Sequence, residues 1–372
     1  MADGPPWPEV ASAFLTASRL LLPCDQLAAG TLGTRPRPVL LQVAIDLKGR
    51  PPVASRLVSV VSLTEAVMVR IREFSTIYVE YDGPIARLVL NRPEKLNAYN
   101  VQMAYEVRQA CDEIEEDEES RVLIVKGAGR AFCAGNDLTP GPTNATRFVQ
   151  ADAAVPSPVT SEGTYGTWVY FRYVIDSWRR FWTLRKPTIA QLHGYCLAGG
   201  IMIAMECDLV VATTECQIGQ PELRAQGTAA DMALWPFTMG FRRTKELLFT
   251  GYSLKGQAAA DWGMINHAVP ADEIDDFVEA LARSISNMRP ELLHYYKSMT
   301  NRVADRMGMQ DMVETGSDIN TLVSTLGTQG AFRERSNMEG LRRALAARDE
   351  PYGGQLIPEW MLNGSSPGRA PA

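Results

Sequence analysis

The stretch of residues 193–208 constrains the fold of this sequence more than any other. It follows a short apolar run at residues 188–192 that suits a buried strand, and it turns at Ala198-Gly199-Gly200 into an apolar segment that suits a buried helix. Glycines at such a turn let the backbone come close to a ligand. Because N–H groups at a helix start are unpaired and lie at the positive end of the helix dipole, the turn can hold developing negative charge. Close packing alone would also explain these glycines.

Two other stretches repeat this design of a strand-like run followed by a turn. Residues 131–138 (Ala-Phe-Cys-Ala-Gly-Asn-Asp-Leu) follow the apolar run of residues 122–125, and residues 218–223 (Ile-Gly-Gln-Pro-Glu-Leu) follow that of residues 209–212. In this order and spacing the three stretches resemble the enoyl-CoA hydratase/isomerase (crotonase) family, from about residue 74 to about residue 352. The resemblance implies an α/β fold: a crotonase-like spiral of repeated ββα units, followed by a C-terminal helical trimerisation region.

The chain divides into four regions. Residues 1–67 lie outside the resemblance, and three interpretations remain open: a genuine appendage, a mostly disordered arm, or translated sequence upstream of a true start at Met68. Residues 68–272 would form the spiral core, and residues 273–352 would form amphipathic helices that the resemblance assigns to oligomerisation, as a homotrimer or a dimer of trimers. Residues 353–372 are rich in Gly, Pro and Ser and are predicted to be flexible.

Composition narrows the possible partners. The 372 residues are 46% hydrophobic, which is enough for a sizeable core, and the net charge of −6 without a basic block argues against nucleic-acid binding. The six cysteines form no Cys-x-x-Cys pair and there are only three histidines, which argues against a metal site or a disulfide framework. No apolar run approaches the roughly 20 residues of a membrane span. We therefore expect a cytoplasmic protein without a metal, nucleic-acid or membrane partner.

Several local elements can also be predicted. Two strand-like runs joined by Asp82-Gly83 predict a hairpin, and Asn100 is a predicted helix N-cap. Residues 139–162 are predicted to form a long loop, which the resemblance places over the acyl pocket. The aromatic residues between 168 and 182 recur at helical spacing, so they form either part of the core or a wall of that pocket.

The resemblance also implies a reaction. The α-proton of a coenzyme A thioester becomes acidic only if its carbonyl oxygen is stabilised as an enolate, and the amides of Asn136 and Gly199 are the implied donors. Glu222 is the implied proton-transfer group. The expected partner is an acyl-CoA, and no cofactor is expected beyond the coenzyme A of that substrate. The positions implied to contact substrate or coenzyme A are Lys95, Asn97, Ala98, Ala134, Asp137, Leu138, Gly200 and Met202.

Met202 is the main departure from the family pattern. Family hydratases use two glutamates, and Met202 falls where the second of them would be, although a methionine cannot exchange a proton. The departure favours double-bond isomerisation by one carboxylate over hydration, unless Asp231 supplies the second carboxylate. Thioester hydrolysis, decarboxylation or ring-bond cleavage on the same oxyanion hole remain alternatives. A catalytically inactive acyl-CoA-binding subunit is a further alternative.

Overall fold

Two β-sheets with helices between and around them form the fold, as seen in a computed structural model that describes residues 57–60, 69–138, 163–224, 235–325 and 330–358. Apart from a strand at Leu57–Val60, the predictions for residues 1–67 lie outside these ranges. The predicted loop at 139–162, Asp231 and the tail beyond residue 358 also lie outside them.

The larger sheet has eight strands, and its antiparallel half continues into a parallel half. The four antiparallel strands are β1 (Leu57–Val60), β2 (Val69–Glu73), β3 (Ile77–Asp82) and β4 (Ile85–Leu90). The strands of the parallel half, which β4 joins, are β5 (Val122–Gly127), β6 (Thr188–Leu192), β8 (Leu209–Thr213) and β11 (His267–Val269). The predicted hairpin at Asp82-Gly83 is confirmed, with Gly83 at φ 54°.

The smaller sheet has three strands, in the order β10 (Ser253–Lys255), β9 (Gln217–Gly219) and β7 (Tyr195–Leu197). Strands β6 and β7 precede α3 (Gly199–Met205), while β8 and β9 follow it, so each strand pair places one strand in each sheet. This alternation is the predicted repetition of ββα units, and it brings the ends of β7 and β9 together beside the start of α3.

Eleven helices lie in the described ranges. Besides α3 they are α1 (Val101–Glu116), α2 (Gly163–Thr183), α4 (Trp235–Met239), α5 (Phe241–Thr250), α6 (Gly256–Asp261), α7 (Ile274–Ser286), α8 (Pro290–Arg306), α9 (Met309–Thr325), α10 (Gly330–Glu339) and α11 (Leu341–Asp349). The predicted N-cap is confirmed, because the Asn100 side chain accepts a hydrogen bond from the Met103 amide at 2.9 Å. None of the described helices is both long and apolar enough to cross a membrane.

The aromatic segment in α2 contributes mainly to the core. Trp178 and Phe181 are almost fully buried, whereas Trp168 is exposed at the N-terminal end of the helix. The indole nitrogen of Trp168 donates to Oδ1 of Asp318 in α9 at 2.8 Å, so α9 lies along α2 of the same chain. The core interpretation is therefore correct for the C-terminal half of α2.

The C-terminal helices are attached to the sheets by a buried lysine. Lys297 of α8 forms an ion pair with Asp208 at 2.7 Å and donates to the carbonyl oxygens of Phe181 (2.8 Å) and Lys186 (3.1 Å). Beyond α11 the chain is also held, because the Ser253 amide donates to the Leu356 carbonyl at 2.8 Å. The first residues of the predicted flexible tail therefore contact the core.

Candidate active site

The glycine turn before α3 is a place of very close packing. Ala198 caps the helix with a positive φ of 53°. A Cβ added to Gly199 would lie 2.1 Å from Cε1 of Tyr99, and one added to Gly200 would lie 2.3 Å from the carbonyl oxygen of Cys133. Neither position has room for a side chain, so the packing explanation of these glycines holds whatever ligand the turn receives.

The turn at residues 131–138 lies against this glycine turn. The Tyr99 amide donates to the Gly135 carbonyl at 2.8 Å and the Asp137 amide donates to the Tyr99 carbonyl at 2.9 Å. Because successive N–H groups of such a paired segment point in opposite directions, the N–H of Asn136 faces away from Tyr99. A Cβ built on Gly135 would lie 3.3 Å from the amide nitrogen of Gly199. The amides of Asn136 and Gly199 therefore belong to adjoining turns.

The backbone amides of Asn136 and Gly199 are both potential donors to a ligand. In the ranges that the structure describes, the N–H groups of Asn136 and Gly199 donate no hydrogen bond. A buried backbone donor normally has a partner, because leaving it unpaired costs free energy. Two adjoining unpaired donors can instead bind an oxygen that carries negative charge.

Glu222 is connected to the same turn through the smaller sheet. The Ala198 amide donates to the Gly219 carbonyl at 2.9 Å, which joins the start of α3 to the end of β9. Three residues later, Glu222 lies in the short 3-10 helix Pro221–Arg224 with a partly exposed side chain. Its Oε1 accepts a hydrogen bond of 2.8 Å from the side-chain amide of Gln220, which is only 1% exposed. The segment that carries the Glu222 carboxylate is thus joined by a hydrogen bond to the turn that carries the Gly199 amide.

Met202 lies in α3 with a buried side chain that packs in the hydrophobic core. The structure therefore places a thioether, not a proton-transfer group, one helical turn after Gly199.

Glu206, which caps the end of α3, faces Arg179 with 4.0 Å between Nη1 of Arg179 and Oε1 of Glu206. Burial raises the pKa of Glu206 to about 7, and the side chain belongs to the contact between α3 and α2.

The predicted binding residues before α1 lie on a tightly braced loop. Lys95 is exposed at the end of the 3-10 helix Pro93–Lys95. The Asn97 side chain donates to the carbonyls of Ala128 and Ala131, both at 2.8 Å, and accepts from a backbone amide of its own loop. Its polar atoms are therefore used to shape the loop. Ala98, which follows it, is buried.

Arg92 is a residue of this region that sequence reasoning missed. Its guanidinium forms an ion pair with Asp137 at 2.7 Å and also donates to the Ala98 carbonyl. It thus joins the Lys95 loop to the stretch that carries Asn136, and it occupies one oxygen of the predicted substrate-binding Asp137. The two partners are 45 residues apart in sequence, and no spacing signal connects them.

Two tyrosines beside the turns were also missed. Tyr99 is 2% exposed, its ring fills the space below Gly199, and it packs edge-on against Trp178 with ring centroids 5.3 Å apart. The Tyr170 hydroxyl donates to Oδ1 of Asn136 at 3.3 Å. Both residues stand in apolar helical or loop patterns, which gave no signal of a place beside the site.

The remaining predicted residues divide between described and undescribed parts of the chain. The Ala134 amide donates to the Leu96 carbonyl at 3.0 Å, and Leu138 is half-buried where the described range ends. Asp231 lies outside the described residues.

The buried thiols are protonated at neutral pH, because burial raises the pKa of Cys133 and of Cys216 to about 12. This agrees with their interpretation as small core residues.

Comparison with known proteins identifies the family of this chain. A family model described as "Enoyl-CoA hydratase/isomerase" matches residues 80–321, more than half of the chain. A short-chain-enoyl-CoA hydratase from Clostridium acetobutylicum is 29% identical over 247 residues, which cover 65% of this chain and 85% of that protein. A hydroxycinnamoyl-CoA hydratase-lyase from Pseudomonas fluorescens is 30% identical over 230 residues, which cover 60% of this chain and 77% of that protein.

A solved structure has the same arrangement of elements. The crystal structure of an enoyl-CoA hydratase/isomerase from Xanthobacter autotrophicus Py2 matches with a TM-score of 0.66 and 32% identity, covering 75% of this chain and 99% of that chain. The predicted fold class is thereby confirmed. This chain is a member of the enoyl-CoA hydratase/isomerase family and has the crotonase fold.

Proposed function

We propose that this protein catalyses proton transfer on an enoyl-CoA thioester, either as double-bond isomerisation or as hydration. The observation that carries the proposal is the pair of adjoining backbone amides at Asn136 and Gly199, which donate to no described residue, with Glu222 three residues after Gly219, whose carbonyl accepts from the Ala198 amide of the same turn. These amides would stabilise the enolate oxygen of the thioester. Removal of one such donor costs about 2.7–4 kcal/mol of transition-state stabilisation in other enzymes.

Glu222 is the proposed proton carrier. A carboxylate that takes the proton from one carbon and returns it to another isomerises the double bond without any other titratable group. The coenzyme A ester would extend over the braced loop before α1. It would contact the residues proposed from the resemblance, which are Lys95, Asn97, Ala98, Ala134, Asp137, Leu138, Gly200 and Met202. Asn97 would contribute through the loop shape that it maintains, because its side-chain amide is already bonded to backbone carbonyls.

Met202 supports isomerisation in preference to hydration. Hydration by the family's usual route needs a second carboxylate, and the buried Met202 side chain supplies none. Asp231 remains the proposed source of a second carboxylate if water is added. A relative named hydroxycinnamoyl-CoA hydratase-lyase is as similar to this chain as a named enoyl-CoA hydratase, so bond cleavage or hydrolysis at the same oxyanion site is the second candidate.

The test is a product analysis in deuterated water with matched 2-enoyl-CoA and 3-enoyl-CoA esters. Isomerisation gives a migrated double bond with deuterium uptake, hydration gives a water adduct, and hydrolysis gives free coenzyme A. Glu222→Gln should lower kcat by about 10²–10⁴-fold and leave the affinity for the coenzyme A ester nearly unchanged. Unchanged turnover would remove Glu222 from the mechanism. Tight ester binding by the wild-type protein without any product would favour the inactive binding subunit.

We also propose that the protein assembles as a homotrimer or a dimer of trimers. The support is an exposed apolar stripe along α8, with members at helical spacing on one face: Leu292, Tyr295, Tyr296, Met299 and Val303. Light scattering during gel filtration should give three or six times the chain mass, and Met299→Glu should lower it. A monomer at micromolar concentration would refute this proposal. The proposed location is the cytoplasm, in keeping with five described cysteines that are all free.

A further inference from the structure

Gln220 has an unusual environment for a buried glutamine. Its side chain is 1% exposed, and its amide nitrogen donates to Oε1 of Glu222 at 2.8 Å. Its carbonyl oxygen Oε1 is buried and accepts no hydrogen bond from any described residue. The bond to Glu222 is therefore the one polar contact that fixes this side-chain amide within the described part of the chain.

This arrangement is unfavourable for the fold taken alone. A buried carbonyl oxygen without a donor costs free energy, and an apolar side chain of similar volume would avoid that cost. A hydrogen bond to an ionised carboxylate is among the stronger ones in proteins. Violations of local packing rules of this kind concentrate at functional sites. What the glutamine supplies at this position is a buried N–H donor to the Glu222 carboxylate.

We propose that Gln220 is a positioning residue, whose amide nitrogen holds the Glu222 carboxylate ionised and oriented for proton transfer. The inference rests on the proposed function of Glu222. A donor to the charged form of a carboxyl stabilises that form, and it also removes rotational freedom from the side chain. Gln220 itself touches neither substrate nor the transferred proton in this proposal.

Other buried glutamines in the described chain also donate to carboxylates, among them Gln102 to Glu106 at 2.8 Å and Gln191 to Asp275. Gln191 of β6 is 5% exposed and donates to Oδ1 of Asp275 at 2.7 Å. This hydrogen bond is the main reason why the pKa of Asp275 lies below its usual value, with Lys126 adding to the effect. Gln191 therefore shows what a buried glutamine does to a carboxylate in this fold, and it offers a matched control.

The experiment compares Gln220→Met with Gln191→Met. Both changes remove one buried amide that donates to a carboxylate, and the melting temperature of each variant checks that it is folded. Only Gln220→Met should lower kcat, by at least about tenfold with KM within about twofold, because it disturbs the proton carrier and not ester binding. Only Gln220→Met should shift the acid limb of the pH profile of kcat/KM to higher pH, by about one pH unit, because the ionised Glu222 carboxylate loses a donor.

A second variant covers the case in which Gln220→Met does not fold. Gln220→Glu keeps the shape of the side chain but replaces the donor by a carboxylate, so it should move the acid limb upward as well. The proposal is overturned if the folded Gln220 variants keep the wild-type kcat and pH profile, or if Gln191→Met changes both in the same way. Glu222→Gln, measured beside them, separates the two ideas: full activity there refutes the proposed function, whereas its loss with unaffected Gln220 variants refutes only the positioning role.

Discussion

Replacing Gly199 by alanine tests whether packing holds the proposed oxyanion amide in place. The added Cβ would lie 2.1 Å from Cε1 and 2.7 Å from the hydroxyl oxygen of Tyr99, whereas an ordinary contact begins at 3.4 Å. The Tyr99 ring cannot retreat freely, because it is 2% exposed and packs against Trp178. Either the ring or the turn must therefore move by about 1.3 Å, the difference between 3.4 and 2.1 Å.

The displacement has two consequences of different size. Overpacking of a well-packed core costs about 1–3 kcal/mol, which corresponds to a melting temperature lower by about 2–10 °C for a domain of this size. A displacement of about 1 Å at a reacting group costs about 10²-fold in rate. We therefore expect Gly199→Ala to fold, with a modest loss of stability and a loss of kcat of about two orders of magnitude.

The assay measures kcat with an enoyl-CoA ester and the melting temperature on the same preparation. Gly83→Ala is the control, since its Cβ would meet nothing within 4 Å and its φ of 54° confines the cost to the hairpin. Gly199→Ala/Tyr99→Ala should be more stable than the sum of the single changes predicts, because the small side chain makes room. A Gly199→Ala protein with kcat within twofold of the wild type would refute the reasoning.

Two further predictions concern buried charges. Lys297→Met leaves the buried Asp208 carboxylate without its cation and should lower the free energy of unfolding by about 3–5 kcal/mol, measured by urea titration. Adding Asp208→Asn to this variant should restore part of the lost stability. If the effects of the two substitutions are additive, the ion pair is contradicted. For Glu206, burial raises the pKa to about 7 from 4.5, so the folded protein binds this proton more tightly than the unfolded chain. The resulting stabilisation is present below about pH 4.5 and is lost as the pH rises to about 7, by up to about 3 kcal/mol. Glu206→Gln should flatten this part of the stability profile, and an unchanged profile would show that another group causes it.

Local patterns in the sequence predicted most of the elements around the site. Asn100 was predicted as an N-cap, and its side chain bonds to the amide three residues later, because capping depends only on neighbours along the chain. The hairpin at Asp82-Gly83 follows from the turn chemistry of those two residues. The glycine turn at Gly199 and the strand β6 before it follow from the apolar run at residues 188–192 and the glycines after it, whereas the short strand β7 between them was not predicted.

Contacts between segments distant in sequence could not be predicted in this way. The Arg92–Asp137 ion pair joins residues 45 positions apart, and the Tyr99 ring lies below Gly199, a hundred residues further along the chain. Periodicity and turn chemistry describe a residue's neighbours along the chain, whereas these contacts depend on how separate strands are aligned in the sheets.

The sequence by itself determined the family, the fold class and the residue types that could carry chemistry, because three motifs in fixed order specify them together. Only the tertiary structure decided that the amides of Asn136 and Gly199 lie on adjoining turns, that Met202 packs in the core, and that Gln220 donates to Glu222 while its own carbonyl has no donor among the described residues. The physical reason is that hydrogen-bond satisfaction and burial are properties of the packed chain. A sequence names the donors and acceptors, but packing decides which of them are left to bind a substrate.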